Sequence, residues 1–143
     1  MTLTNLANWL KEQIDVGGGI AVGGIEENQM RYIGVYAGSA GTSQRICVGG
    51  KKQTKTAVLP ARILVHWTES PAQAEKKALE LYKLFYGISG VEMDGVHVVL
   101  ANPGERPEWA GRSKNGVCEY VLRLKLTYER KDEDAEHGRV SGL

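Results

Sequence analysis

The sequence predicts an α+β fold, a mixed and largely antiparallel sheet flanked by two main helices, on three observations. Cys118, Tyr120, Leu122, Leu124, Leu126 and Tyr128 alternate with Glu119, Arg123, Lys125, Thr127 and Glu129, the period-two pattern of a strand with one covered and one polar face. The apolar run Ile63-Leu-Val-His-Trp67 leads through Ser70-Pro71 into an amphipathic stretch, so a strand feeds a capped helix. Val91 to Met93 and Val96 to Leu100 flank Asp94-Gly95, the signature of a tight hairpin with a type I′ turn.

The elements follow in chain order. Thr2 or Thr4 caps a first helix, on which Leu3, Leu6, Ala7, Leu10 and Ile14 share one face with Trp9 at its edge, ending before Gly17-Gly18-Gly19. Ile20-Ala-Val22 and Arg31 to Tyr36 predict a hairpin-like pair of strands. Ala37 to Ser43 is a loop by composition, Arg45 to Val48 a short strand, and Gly49 to Thr56 a basic flexible loop. Val58 to Trp67 reads as a central strand covered on both sides, because both faces of its second half are largely apolar.

In the second helix Ser70 is the N-cap, Pro71 the first helical residue and Gln73 the partner that completes a capping box. Its core stripe is Ala74, Ala78, Leu81, Phe85 and Ile88, and Gly87 and Gly90 end it. A second apolar line, Leu79, Tyr82 and Tyr86, is displaced from that stripe by about 110° at helical spacing. Such a helix is either wedged between layers or presents tyrosines to another subunit. Asn102 to Lys114 reads as a loop with an isolated Trp109, and Asn115-Gly116 as a second turn. A single domain is expected over 1–130, followed by a charged, disordered tail over 131–143.

The 143 residues fit one domain with a real core, and the net charge of +1 gives no overall field for nucleic acid or an acidic membrane. No apolar run reaches the roughly 18–20 residues that span a bilayer, and the N-terminus lacks the basic and apolar regions of a signal peptide, so no membrane partner is expected. Cys47 and Cys118 are then read as free thiols.

The candidate chemistry is thin. Gly19 and Gly24 have Walker A spacing, but Ile25 and Glu26 stand where Lys and a hydroxyl must reach the phosphates. Cys47, His66, His97 and Cys118 lack the spacing of a zinc site, and His66 and His97 read as satisfied, half-buried strand histidines. Cys118 on an apolar face behaves as a small hydrophobe rather than as a nucleophile. Lys51, Lys52 and Lys55 make a basic loop suited to phosphates or simply to water. An enzyme or small ligand-binding domain requires convergent polar groups in a concavity, and no set of residues in the sequence furnishes one.

The order of Ile33-Gly-Val-Tyr36, Arg45-Ile-Cys-Val-Gly-Gly50, Ile63-Leu-Val-His-Trp67, Glu75-Lys-Lys-Ala-Leu-Glu-Leu-Tyr82, Val117-Cys-Glu-Tyr-Val121 and Leu126-Thr-Tyr-Glu-Arg130 resembles the phage minor capsid proteins grouped with tail terminators. The likeness covers most of the chain up to Arg130, and rests on order and spacing rather than on any diagnostic motif. A longer Gly-rich loop at Gly38 to Thr42 and the tail after Arg130 depart from it. The resemblance implies a virion protein of a tailed phage or prophage, made in the host cytoplasm, that forms a ring, expected as a hexamer, with neither catalytic activity nor a cofactor. That ring would cap the tail tube and meet the head connector, with the tail-tube protein and the connector as partners. The genome would pass through its channel without sequence-specific binding. A head-closure or neck protein is the alternative within the class. A cyclic ring joins two different patches of one subunit. The line of Leu79, Tyr82 and Tyr86 and the polar face at Glu119, Arg123 and Lys125 are the expected patches, with Lys51, Lys52 and Lys55 as a basic loop.

Overall fold

The computed structural model describes residues 1–39 and 55–130. Among these, α1 (Leu3–Gln13) precedes β1 (Gly19–Val22), β2 (Tyr32–Ala37), β3 (Thr56–His66), α2 (Pro71–Tyr86), β4 (Ser89–Met93), β5 (Val96–Asn102), β6 (Glu108–Arg112) and β7 (Cys118–Glu129). The expected strand Arg45 to Val48 lies outside the described residues, as do Lys51, Lys52 and the tail.

The strands form one sheet in the order β1-β2-β3-β7-β5-β4, with β6 also paired to β7. All pairings are antiparallel except β1 with β2. The hairpin expected at the start of the chain is therefore corrected to a parallel pair. After Val22 the chain turns at Gly23 (φ +80°) and doubles back over residues 24–31, so that Tyr32 lies beside Gly19 rather than beside Val22. Arg31, at φ +58°, closes this return by donating its N–H to Trp67 O at 2.6 Å and accepting from Gly18 N.

Both helices pack on one side of the sheet. Thr2 and Asn5 form the capping box of α1, and the Trp9 ring meets Phe85 of α2 at 5.7 Å. The sheet curls enough for α1 to touch β1 and β2 near one edge and β4 at the other. Asn5 and Asn8 of α1 donate to Asp94 Oδ2 at 3.1 and 3.0 Å, tying the helix to the β4–β5 turn. That turn is the expected type I′, with φ positive at both Asp94 (+52°) and Gly95 (+83°).

One core cluster joins Leu6, Leu10, Ile33, Val35, Ile63, Val65, Ala78, Leu81, Phe85, Leu122 and Leu126. These strand residues alternate with those of the opposite face, so the sheet has a helix-covered face and an outer face. The two-sided cover expected for β3 holds only at its C-terminal end, where His66 is fully buried on the outer face, and not over its first half. Ala57, Ala61, Ile63 and Val65 are buried beneath the helices, whereas Val58 and Arg62 are exposed on the outer face and Leu64 is half-buried. Apolar residues on both faces of a strand do not by themselves supply a second layer.

Ser70 caps α2 by accepting from Gln73 N, but the Gln73 side chain accepts from the Thr68 hydroxyl at 2.9 Å instead of completing the box. The expected loop after Asn102 contains β6, whose Trp109 packs edge-on against Tyr120 at 5.4 Å. Its five residues are exposed or half-buried, so no alternation marks the strand. The second turn forms as expected, with Gly116 at φ +80° and Ser113 N bonded to Val117 O.

Candidate functional site

The outer face of the sheet is ordered in cross-strand rows, fixed by the β2–β3–β7 register. Tyr32, His66 and Glu119 form one row, Gly34, Leu64 and Val121 the next, then Tyr36, Arg62 and Arg123. Pro60, Lys125 and Asn102 follow, and after them Val58, Thr127 and Leu100. The face thus changes character along β7, from a buried polar end through a basic centre to an apolar end.

At the polar end His66 is fully buried, and its Nδ1 donates to Glu119 Oε2 at 2.8 Å. Its Nε2 has no hydrogen-bond partner among the described residues, so the satisfied, half-buried histidine expected here is corrected to a fully buried ring bonded through one nitrogen. Glu119, expected on a subunit interface, is thereby engaged inside its own subunit and is only 19% exposed. Tyr36 lies beside this end, and its hydroxyl is held above its ordinary pKa by burial first, then by the Glu119 and Glu27 carboxylates, against a lowering by Arg62.

In the centre Arg62 and Arg123 are direct cross-strand partners. Arg62 donates through Nε to Ala37 O at 3.3 Å, and Arg123 pairs with Glu108 at 2.9 Å. Lys125 lies one row further and is exposed. Residues 103–107, which join β5 to β6 along the edge of β7, overhang these side chains. They enclose a groove of about 500 Å³ whose charged lining is Arg62, Arg106, Arg123, Lys125, Glu105 and Glu108. The groove corrects the expectation that no set of residues furnishes a polar concavity. It is not legible in the sequence because Arg62 and Arg123 are distant along the chain and meet only through strand register.

At the apolar end the register shifts between Val98 and Leu100, leaving Val99 and Leu100 exposed with Val58 beside them. This bulge leaves both Val99 and Leu100 on the exposed side, where regular alternation would have turned one of them inward.

The helix line lies on the other side of the sheet. Leu79 and Tyr82 are half-buried, Tyr86 is 67% exposed, and the two tyrosine rings meet at 5.6 Å. Tyr82 packs against the core while Tyr86 faces outward. Glu75 shares this line at helical spacing and lies against the Tyr120 hydroxyl. Tyr120 is held above its ordinary pKa, by burial first and then by Glu75 and Cys118. Lys77 was missed by hydrophobic patterning. It is buried, lies over the Trp67 ring at 4.8 Å and pairs with Glu80.

The remaining candidates fall apart in space. Cys118 is buried on the helix-covered face and donates weakly to Glu69 O, whereas His66 is on the outer face, so the two form no nucleophile pair. His97 bonds Glu92 at 2.7 Å. Among the described residues no group of three or more His, Cys, Asp or Glu is placed to hold a metal, and no helix is long and apolar enough to cross a membrane. Gly17 and Gly18 pack against residues 29–31, and a side chain on Gly17 would collide with Arg31, so the glycine run serves chain reversal. Lys55 is exposed, and its carbonyl accepts from Arg130 N; Cys47, Lys51 and Lys52 lie outside the described residues.

No family model matches the chain, and no curated protein matches it. One solved chain is similar over 90% of this chain and 89% of its own length, at 18% identity and a TM-score of 0.40.

Proposed function

We propose that this chain is a structural virion subunit that closes the tail tube of a tailed phage or prophage as a ring and joins tail to head. The observation that carries the reading is the pairing of two unlike surfaces on one small subunit. One is the Leu79–Tyr82–Tyr86 line, the other the outer sheet face with Arg123, Lys125 and exposed Leu100. A cyclic assembly needs two such different patches, because each subunit contacts its neighbours head to tail. The resemblance of its sequence order to the tail-terminator group suggests the biological setting. On this account the protein acts by binding rather than by chemistry, with the tail-tube protein on one side of the ring and the head connector on the other.

The partner discriminates this reading from a head-closure role. Immobilised protein is expected to retain the tail-tube subunit from the same phage genome. Retention of the portal-side adaptor without the tube subunit would assign it to head closure instead.

A second reading is favoured by the groove. Arg62, Arg123 and Lys125 converge in a concavity large enough for a small anion-bearing molecule. Calorimetric titration with inorganic phosphate and citrate tests it. Saturable heat that is abolished by Arg123→Ala would favour a ligand-binding domain over a purely structural subunit.

A further inference from the structure

The two patches match each other in chemistry and in order. On α2, Glu75, Leu79, Tyr82 and Tyr86 fall on one line, acidic at its start and aromatic at its end. At 1.5 Å per residue, Glu75 lies about 10–17 Å from the two tyrosines along the axis. On the outer sheet face, the Arg62–Arg123 row and Lys125 precede the exposed apolar row of Val58 and Leu100. At about 3.3 Å per residue, the Lys125 row lies roughly 7 Å from the row of Val58 and Leu100, and the long lysine side chain extends that reach toward the roughly 10 Å between Glu75 and Tyr82. The acidic-to-aromatic order of the helix and the basic-to-apolar order of the sheet therefore run in the same sense.

We propose that the Glu75–Tyr86 line of one copy seats on the Lys125–Leu100 strip of the next, with Glu75 against Lys125 and the tyrosine end of the line, from Tyr82 on, against Val58 and Leu100. This rests on the ring reading above and names the contact from which the ring is built. A second copy is favoured as occupant for three reasons. The two patches lie on opposite sides of the sheet, so one chain cannot close the contact on itself. Lys125 makes no ion pair among the described residues. The exposed apolar row beside it calls for a partner with apolar or aromatic side chains rather than for a uniformly charged polymer. Tyrosines beside a single complementary charge pair give a contact in which apolar area supplies affinity and the charges fix direction.

The test combines crosslinking with charge exchange. Unlabelled and ¹⁵N-labelled full-length protein are mixed and treated with a zero-length carbodiimide, which joins a carboxylate to an amine only at contact distance. The expected result is a mixed-isotope Glu75–Lys125 crosslink. Glu75→Lys and Lys125→Glu are each expected to raise the concentration needed for self-association, followed by light scattering, on the order of tenfold. The double exchange in one chain is expected to recover most of the loss. Glu75→Gln, which keeps an acceptor for Tyr120, is expected to act in the same direction as Glu75→Lys but less strongly. Circular dichroism confirms that each variant is folded, and Leu100→Ser provides an independent weakening at the apolar end. An oligomer that forms normally in all these variants, without the mixed crosslink, overturns this seating and leaves the ring reading standing. A chain that stays monomeric both alone and in the presence of tail tubes overturns both.

Discussion

Arg62 and Arg123 face each other directly across β3 and β7 on the outer side of the sheet, and Glu108 from β6 holds the Arg123 guanidinium at 2.9 Å. Like charges at opposed positions weaken a strand pair, and a nearby carboxylate offsets the repulsion. Glu108→Gln leaves the two cations uncompensated. Because the Arg123–Glu108 pair is more than half exposed on both sides, the expected loss of stability is small, about 0.2–1 kcal/mol at low ionic strength. Urea denaturation in low and high salt checks this, and the difference from the unaltered protein should shrink as salt is added.

Phe85 sits where α2, α1 and the sheet meet, fully buried and in ring contact with Trp9. Phe85→Ala opens a cavity at that junction and should cost about 3–5 kcal/mol in equilibrium unfolding. Tyr86→Ala, one residue along on the exposed side, should change monomer stability by less than about 0.5 kcal/mol. The contrast separates the helix's core stripe from its outward line.

Asp94 ties the β4–β5 turn to α1. Hydrogen bonds first from Asn8 and then from Asn5 hold its carboxyl below the ordinary value of 3.8. A group whose pKa falls on folding contributes stability that is present above its unfolded pKa and is lost as pH drops through the folded value. Asp94→Asn keeps a residue that tolerates positive φ but removes the charge. The unaltered protein should be the more stable of the two at pH 7, and the gap should narrow as pH falls below about 4. Thermal melts of both proteins across pH 2.5–7 measure it.

The parts of this fold that were legible in the sequence are those where burial imposes a period. β7 shows strict alternation because its even-numbered side chains lie under the helices while Arg123 and Lys125 face outward. The β4–β5 turn was legible because two consecutive positive φ angles leave few choices besides Asp-Gly. Strand direction is different. Ile20-Ala-Val22 and Tyr32 to Tyr36 have the same side-chain pattern in a parallel as in an antiparallel pair, so only the return through Arg31 distinguishes them. β6 was hidden because Glu108, Trp109 and Ala110 are all exposed and give no periodic signal. For the candidate site, the tyrosine line was visible at helical spacing. The groove was not, since it depends on the β3–β7 register and on a five-residue overhang before β6.

Negative-stain electron microscopy of tail-tube protein polymerised with and without this chain tests the ring account most directly. The account predicts tubes that stop growing and carry a ring-shaped cap at one end when the chain is present. Lys125→Glu should reduce the capped fraction, and the double exchange with Glu75→Lys should restore it. Tubes of unrestricted length with bare ends, at protein concentrations well above that of the tube ends, would contradict it.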